Sequence, residues 1–499
     1  MDVDFLRYRY EDGYYGVIIK NKFKIGVRHI QLVYMVVASV VMGSVRGTVG
    51  VGVLAMTDLH RRNDSYIQIH DWDRRIQGTI LSAYFFGYAV MYVPAALYLH
   101  RFSSKLAITA ALLVNGSLCV AIPTIANRGG WIPVCNAYLF MGMTQAVLCP
   151  AHQTLMEKWF PPGERRIFNP LVYGAILLGV TLALPITHII SEFHLGWELV
   201  FYSQSMLTLS LAIAWFLLTS DTPDSHPAVG DKEKEFLKEA LSSCKKIQSR
   251  VPWRSILSSK QFWCLVCAHA TTNAVFIFYL TEVPLLMKYF KGSLQELICL
   301  PLVVLWLAYV LTAPSIELIY KIGFITYLVS LTHYRKIINT LGATGVVIGL
   351  TLLPHLLLSG NLLVVVLCGT MACVGLQYSG FLENFKDMSE NYAGSLVAAA
   401  GAAAGAGGAA VPLLAGLVVA DDVYNTHRWR SALATLTAAY VLGNIIYIGF
   451  SSSDRQHWDT NTEKFGYHNG FMHDAEVELE ELQQTKLPGS KQDNLDTAL

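Results

Sequence analysis

Arg46 stands near the middle of an apolar stretch, 30–56, long enough to cross a membrane. At about 1.5 Å per residue, its guanidinium lies roughly 15 Å from the nearer end of that stretch. The cation stays charged at any physiological pH, and facing it to lipid costs at least ~2.5 kcal/mol on the most lenient scale. It must therefore face protein or water, and its natural partner is an anion. Gly43, Gly47 and Gly50 are its helical neighbours and read as clearing space beside it. Tyr84, Tyr88 and Tyr92 recur every four residues in the second apolar stretch, which puts three hydroxyls on one face. Such a stripe serves either core packing or a solute pathway. His152 and His269 also lie in apolar stretches; each is a possible proton carrier or an ordinary core histidine. Cys264 and Cys267 form a C-x-x-C inside an apolar helix without further Cys or His at zinc spacing, so no metal site is expected. No nucleophile–base pair stands out, which argues against an enzyme.

The elements that hold these residues are membrane helices. Hydrophobic residues make up 53% of the 499 positions and charged residues 15%, too apolar for a soluble chain of this length. Twelve stretches of spanning length are expected: 30–56, 76–99, 106–126, 132–155, 168–190, 198–218, 261–284, 297–320, 337–358, 362–381, 392–419 and 431–450. No short cleavable leader precedes the first. With the N-terminus in the cytoplasm, the inner loops and N-tail carry 23 Lys and Arg against nine outside, which predicts both ends inside. The sequon Asn63-Asp64-Ser65 then falls on the non-cytoplasmic side. No sorting signal separates the plasma membrane from an endolysosomal or vesicular one.

The organisation is two six-helix halves, 30–219 and 261–450, after an N-tail 1–29. The polar linker 220–260 joins them, with a surface helix expected over 231–247. The tail 451–499 is acidic, and its composition predicts disorder. Two such halves suggest a pseudo-symmetric transporter with its site between them near the midplane. No nucleotide-binding loop of G-x-x-x-x-G-K-[ST] type is present, so transport, if that is the function, is expected to be driven by a gradient. The run 398–410, AAAGAAAGAGGAA, reads as a tightly packed helix or as one that unwinds easily on the pathway.

Several stretches carry a family resemblance: GVRHIQ (26–31), VLAMTD (53–58), HDWDRRIQGTILSAYFFGYAVMYVP (70–94), MEKWFPPGER (156–165), LGWELVFY (195–202), TPDSHPAVGDKEKEFLKEAL (222–241), VPWRSIL (251–257), TEVP (281–284), RKIINTLG (335–342), GFLENFKD (380–387), NYAG (391–394) and FSSSDRQHW (450–458). In their order and spacing the chain resembles the anion:cation symporters of the major facilitator superfamily. That group holds the sodium–phosphate cotransporters, sialin and the vesicular glutamate transporters. The chain is most similar to the arthropod sequences assigned as inorganic phosphate cotransporters. The resemblance implies an all-α, twelve-helix carrier of small anions that works by alternating access, coupled to Na⁺ or H⁺ and needing no other cofactor. Arg46 falls where the family places the arginine that meets the substrate's negative charge.

Departures from the family pattern are equally informative. Tyr138 replaces an arginine of the vesicular members, and Gln145 stands where some members carry a coupling carboxylate. Glutamine takes up no proton, which weakens direct proton coupling there. The family's P-G-G-Y-L-A-E-R-F-G-G-K loop has become 94–105, PAALYLHRFSSK, so its glycines and acid are gone; an asparagine of span eleven is Gly401. Asn273 matches an asparagine of sialin-like members, to bind a substrate oxygen or to pack against a neighbouring helix. Tyr88 lies on span two, which lines the cavity in this fold. Trp159, Pro161, Pro162, Glu164 and Arg165 are expected to hold loop geometry and gating contacts. The expected substrate site is thus Arg46, Tyr88, Gln145 and Asn273, with Glu282 and Glu317 the main acids within the spans. Phosphate or a small organic anion driven by Na⁺ is the first reading. A proton-coupled carrier of acidic sugars or carboxylates is the second, and a non-transporting sensor or scaffold on a degenerate carrier fold is the third. The partners are an anion and the bilayer, with no nucleic acid; a monomer is compatible with all three readings.

Overall fold

The computed structural model describes residues 26–58, 67–242, 251–291, 298–320, 327–357, 359, 361–389, 392–420 and 422–459. Among these the ordered elements are helices, with no strand. The first half holds α1 (Val27–Met56), α2 (Arg74–Tyr98), α3 (Ser104–Gly129), α4 (Trp131–Gln145), α5 (Leu148–Trp159), α6 (Pro162–Ser191) and α7 (Gly196–Leu218). The linker carries α8 (Asp231–Ser242) and α9 (Trp253–Leu257). Then come α10 (Lys260–Thr281), α11 (Val283–Leu286), α12 (Leu300–Tyr320), α13 (Leu331–Leu356), α14 (Asn361–Met388), α15 (Ala393–Val419) and α16 (Thr426–Phe450). Eleven described helical stretches are long and apolar enough to cross a membrane. In that count α4 and α5 form one span, Trp131–Trp159, and α10 continues to Phe290. The α12 helix takes the place of the remaining expected span, its described apolar part being Leu300–Thr312.

In a bilayer the backbone has no water to bond, so each span closes its own hydrogen bonds, and capping residues mark where the chain leaves lipid. Asp73 accepts from the Ile76 N–H at 2.8 Å and starts α2; Ser103 does the same for Leu106 at 3.1 Å at α3. Asn425 accepts from His427 N–H at 3.1 Å to start α16. Pro150 has no N–H to offer Ala146, and there the fourth span breaks into α4 and α5. Large apolar side chains such as Leu106, Leu113, Val120, Leu442 and Ile445 face outward, as lipid-facing residues do.

Within the first half α1 packs on α6, α2 on α4, and α3 on α7; within the second α14 packs on both α12 and α13, and α10 on α15 and α16. The halves meet chiefly along α2 and α15. Gly405 of α15 lets Ala89 of α2 approach, and Gly401 abuts the Tyr92 ring. The Ala/Gly run is therefore a continuous helix in close contact with α2 and α10.

The linker helix is not a free surface element. Glu233 accepts from the first N–H groups of α1, Val27 at 3.1 Å and Arg28 at 3.3 Å. Phe236 lies 5.4 Å under the Arg28 guanidinium, and Leu237 is buried. After α7, Asp221 accepts from the Lys105 N–H at 2.9 Å and bonds Ser103, tying the linker to the start of α3. In the second half the family stretch ending at Trp458 docks similarly: Asp459 accepts from Ser389 at 2.7 Å and from Arg455 at 2.7 Å. The sequon at 63–65, residues 1–25 and the tail beyond 459 lie outside the described residues, as does the side chain of Glu317.

Candidate functional site

Arg46 lies two thirds of the way along α1, half-buried, with its guanidinium 4.7 Å above the centre of the Tyr88 ring. Tyr92 stacks on Tyr88, ring centres 5.2 Å apart at 28°. Tyr84 is fully buried, and neither its hydroxyl nor the Arg46 Nε has a hydrogen-bond partner. Among the described residues no carboxylate pairs with Arg46; the groups that act on it electrostatically are Tyr84, Tyr88 and Cys149. An aromatic face offsets part of a cation's desolvation but supplies no counter-charge. This arrangement can receive an anion.

Glu282, an acid within the spans, is not available to Arg46. It is fully buried and bonded to Arg74, which also donates to Gln77 at 3.0 Å. Arg74 sits at the opposite end of the bundle from the linker, hereafter the far end, and belongs to the first half, whereas Glu282 belongs to the second. A second pair, Lys288 with Asp58, joins the halves at the same end. The Ser82 hydroxyl donates to the Ala409 carbonyl across the α2–α15 seam at 2.6 Å. Among the described residues these three are the hydrogen bonds and ion pairs between the halves. Charge signs and their loop position place Arg74 and Glu282 in the sequence, but nothing local signals that they meet.

Gly43, Gly47 and Gly50 do not clear space for a solute, contrary to expectation. A Cβ on Gly47 would lie 2.7 Å from the Val180 carbonyl oxygen, and one on Gly50 2.6 Å from that of Leu280; at Gly43 the Ile176 carbonyl is closer still. Missing side chains let α1 approach the backbones of α6 and α10, a common use of small residues in membranes. The Gly50–Leu280 contact also fixes relative depth. Arg46 lies four residues from Gly50 and Asn273 seven from Leu280, about 6 and 10 Å toward the linker end on neighbouring helices. The two side chains thus sit within roughly 4 Å of the same level.

Gln145 is buried and donates from Nε2 to the Met42 carbonyl at 3.1 Å. Met42 precedes Arg46 by one helical turn, so Gln145 steadies the backbone turn that carries the arginine. Asn273 donates to the Ala404 carbonyl at 2.8 Å, using its amide to hold α10 against α15. His269, one turn from Asn273, has a buried Nδ1 without a partner and rests against Phe381 and Phe385. His152 is fully buried in the first half, with Nδ1 3.2 Å from the Ser39 hydroxyl and its ring beside Trp215. Glu164 and Arg165 lie at the linker end, away from Arg46. Glu164 holds Arg28 through two bonds of 3.1 Å; Arg165 donates to the carbonyls of Phe160 at 2.6 Å and Glu157 at 2.7 Å, closing the end of α5. Trp159 donates to the Ser220 carbonyl at 3.0 Å. Among the described residues Cys264 and Cys267 belong to no group of three or more His, Cys, Asp or Glu that could hold a metal ion.

Two packed bundles of membrane helices, with a cation in α1 that pairs with no carboxylate among the described residues, have the architecture of a membrane transporter. Residues 35–412 match the Major Facilitator Superfamily, and the chain belongs to that superfamily. It is 27% identical over 400 residues to a Drosophila ananassae protein named "Putative inorganic phosphate cotransporter", covering 79% of this chain and 82% of that one. It is 28% identical over 410 residues to human sialin, covering 81% and 80%. Among solved structures it is similar to the inward-open xylose transporter XylE of E. coli, with a TM-score of 0.62 at 12% identity, covering 83% of this chain and 95% of that one. The protein is thus a major facilitator transporter of the phosphate cotransporter and sialin type.

Proposed function

We propose that the protein moves a small anion, inorganic phosphate or a small organic anion, across a membrane by alternating access, driven by Na⁺. The observation that carries this reading is the Arg46 guanidinium, within the bundle over Tyr88 and paired with no carboxylate among the described residues. Tyr84 and Tyr88 border the anion, Gln145 holds the turn that aims Arg46, and Asn273 lies at nearly the same depth from the other half. The positive bias of the linker-end loops supports a cytoplasmic position for both termini. Human sialin and the Drosophila protein, similar over most of their length, support an anionic substrate.

The test is uptake of labelled phosphate, glucuronate and glutamate into proteoliposomes, with Na⁺ and pH gradients imposed separately. Phosphate uptake that follows the Na⁺ gradient is expected. A response to the pH gradient alone would move the protein to the proton-coupled reading, for which His269, with its unpartnered Nδ1, is the group to test first. Binding without flux for every anion would make it a sensor or scaffold.

A further inference from the structure

The far end of the bundle holds a carboxylate whose one charged partner among the described residues belongs to the opposite half. Glu282 is fully buried where α10 breaks before Pro284. One of its oxygens meets Arg74 of α2; the other, Oε1, is sealed from solvent and has no partner, as is the Arg74 Nε. Among the described residues, the other charged or titratable groups linked to this point are Lys288 and Tyr289 beyond α11, Asp58 after α1, and Tyr424 between α15 and α16. Lys288 is already bonded to Asp58. When the halves part at this end, as the transport reading requires, Arg74 leaves with α2 and Glu282 stays with α10. A carboxylate held among helices without a counter-charge is costly, so something positive must replace the guanidinium.

We infer that Glu282 is a cation site: it exchanges the Arg74 guanidinium for a small monovalent cation, Na⁺ or H⁺, when the far end opens. The Thr281 hydroxyl beside it supplies a further oxygen. Because the cation binds only when Arg74 has gone, raising its concentration on that side shifts the protein toward the far-end-open state by mass action. The inference rests on the alternating-access reading but assigns a residue and a ligand that the reading does not contain.

The seam itself provides a readout that needs no substrate. Ser82→Cys, placed where α2 bonds the Ala409 carbonyl, reacts with a membrane-impermeant maleimide when the seam opens. Labelling of that residue alone is followed by peptide mass spectrometry in proteoliposomes. External Na⁺ is varied against choline at fixed pH, and external pH is varied at fixed Na⁺ with each rate divided by that of a small thiol at the same pH, because the reactive thiolate becomes scarcer as pH falls. A rise in labelling of about tenfold is expected once the cation reaches ten times its dissociation constant. A rise with Na⁺ alone assigns sodium; a rise with falling pH alone assigns the proton. Glu282→Gln should label fast and without cation dependence, and Glu282→Asp should restore the dependence. Labelling indifferent to both cations in the wild-type background, or a response that survives Glu282→Gln, overturns the site. Failure of the transport reading is distinct: the wild-type protein would then carry none of the three anions in the uptake assay while the labelling pattern stood.

Discussion

Replacing Arg46 by glutamine separates a substrate-binding cation from a structural one, because the two predict opposite effects on stability. If the guanidinium recognises an anion through two N–H···O bonds, each contributing roughly 1.5–3 kcal/mol, its loss weakens binding by about 3–6 kcal/mol. At about 1.4 kcal/mol per tenfold, that is roughly 10²- to 10⁴-fold. Uptake at micromolar anion should fall to background. Arg46→Lys keeps the charge without the planar fork and should recover only a small part. Stability without ligand is the sharper discriminator. Removing one member of a buried ion pair costs about 3–5 kcal/mol because the other charge is stranded. Arg46 strands no carboxylate among the described residues, since the groups that act on it are Tyr84, Tyr88 and Cys149. The mutation loses a cation–π contact of ~0.5–2 kcal/mol but relieves a desolvated charge. The melting temperature of Arg46→Gln in detergent should therefore match or exceed that of wild type, while added anion raises only the wild-type value. Normal uptake by Arg46→Gln would refute the reasoning, and so would a large fall in its anion-free melting temperature.

Tyr88→Phe keeps the ring beneath Arg46 and should retain most uptake, whereas Tyr88→Leu removes the cation–π face and should weaken apparent affinity about 3- to 30-fold, as an uptake titration would show. Glu233→Gln replaces a carboxylate that meets Val27 N, Arg28 N and Arg28 Nη1 with a neutral amide, at a cost of about 1.5–3 kcal/mol. Trypsin should then cut at Lys232, Lys234 or Lys238 at least about tenfold faster, read by timed digestion in detergent. Burial against Trp72 and Trp197 pushes the His70 imidazole below its ordinary value, with Asn127 and Glu198 opposing the shift. The unfolded chain therefore binds this proton more readily than the folded one. Stability from His70 is fully present above about pH 6.5 and declines as pH falls from there toward the lowered value. His70→Gln should flatten melting temperature against pH in that window.

Spans and the isolated arginine were legible because each is a one-dimensional signal: an apolar run of fixed length, and a charge where none belongs. Helix ends were less so. The last helix begins at Thr426 rather than 431, and α14 runs to Met388 rather than 381, because polar residues extend a helix past the lipid at little cost. Hydropathy registers only the apolar part. The glycines near Arg46 were misread since cavities and tight packing both call for small residues, and only the facing backbone distinguishes them. The Arg74–Glu282 pair spans 208 positions, and its existence depends on the register between α2 and α10. Glu233 at the head of α1 was hidden for the same reason: a carboxylate in an acidic, amphipathic linker helix looks like solvent-facing charge until the docking surface is known.

The distribution of paired cations bears on how the carrier would move. Arg28 is bonded to Glu164 and Glu233, and Arg335 to Asp387 at 2.8 Å; each of these pairs lies within one half or its linker and survives any rocking of the halves. Arg74 with Glu282, and Lys288 with Asp58, cross between halves and must break when the far end opens. Among the described residues no ion pair crosses between the halves at the linker end. Without ligands the described contacts therefore bias the protein toward a closed far end. A cation on Glu282 and an anion on Arg46 would act on different terms of that bias: the first replaces a contact that opening destroys, and the second neutralises the charge that each conformation must accommodate. Coupling between two such solutes then needs no direct contact between them, only that both alter the balance between the same two arrangements of the halves.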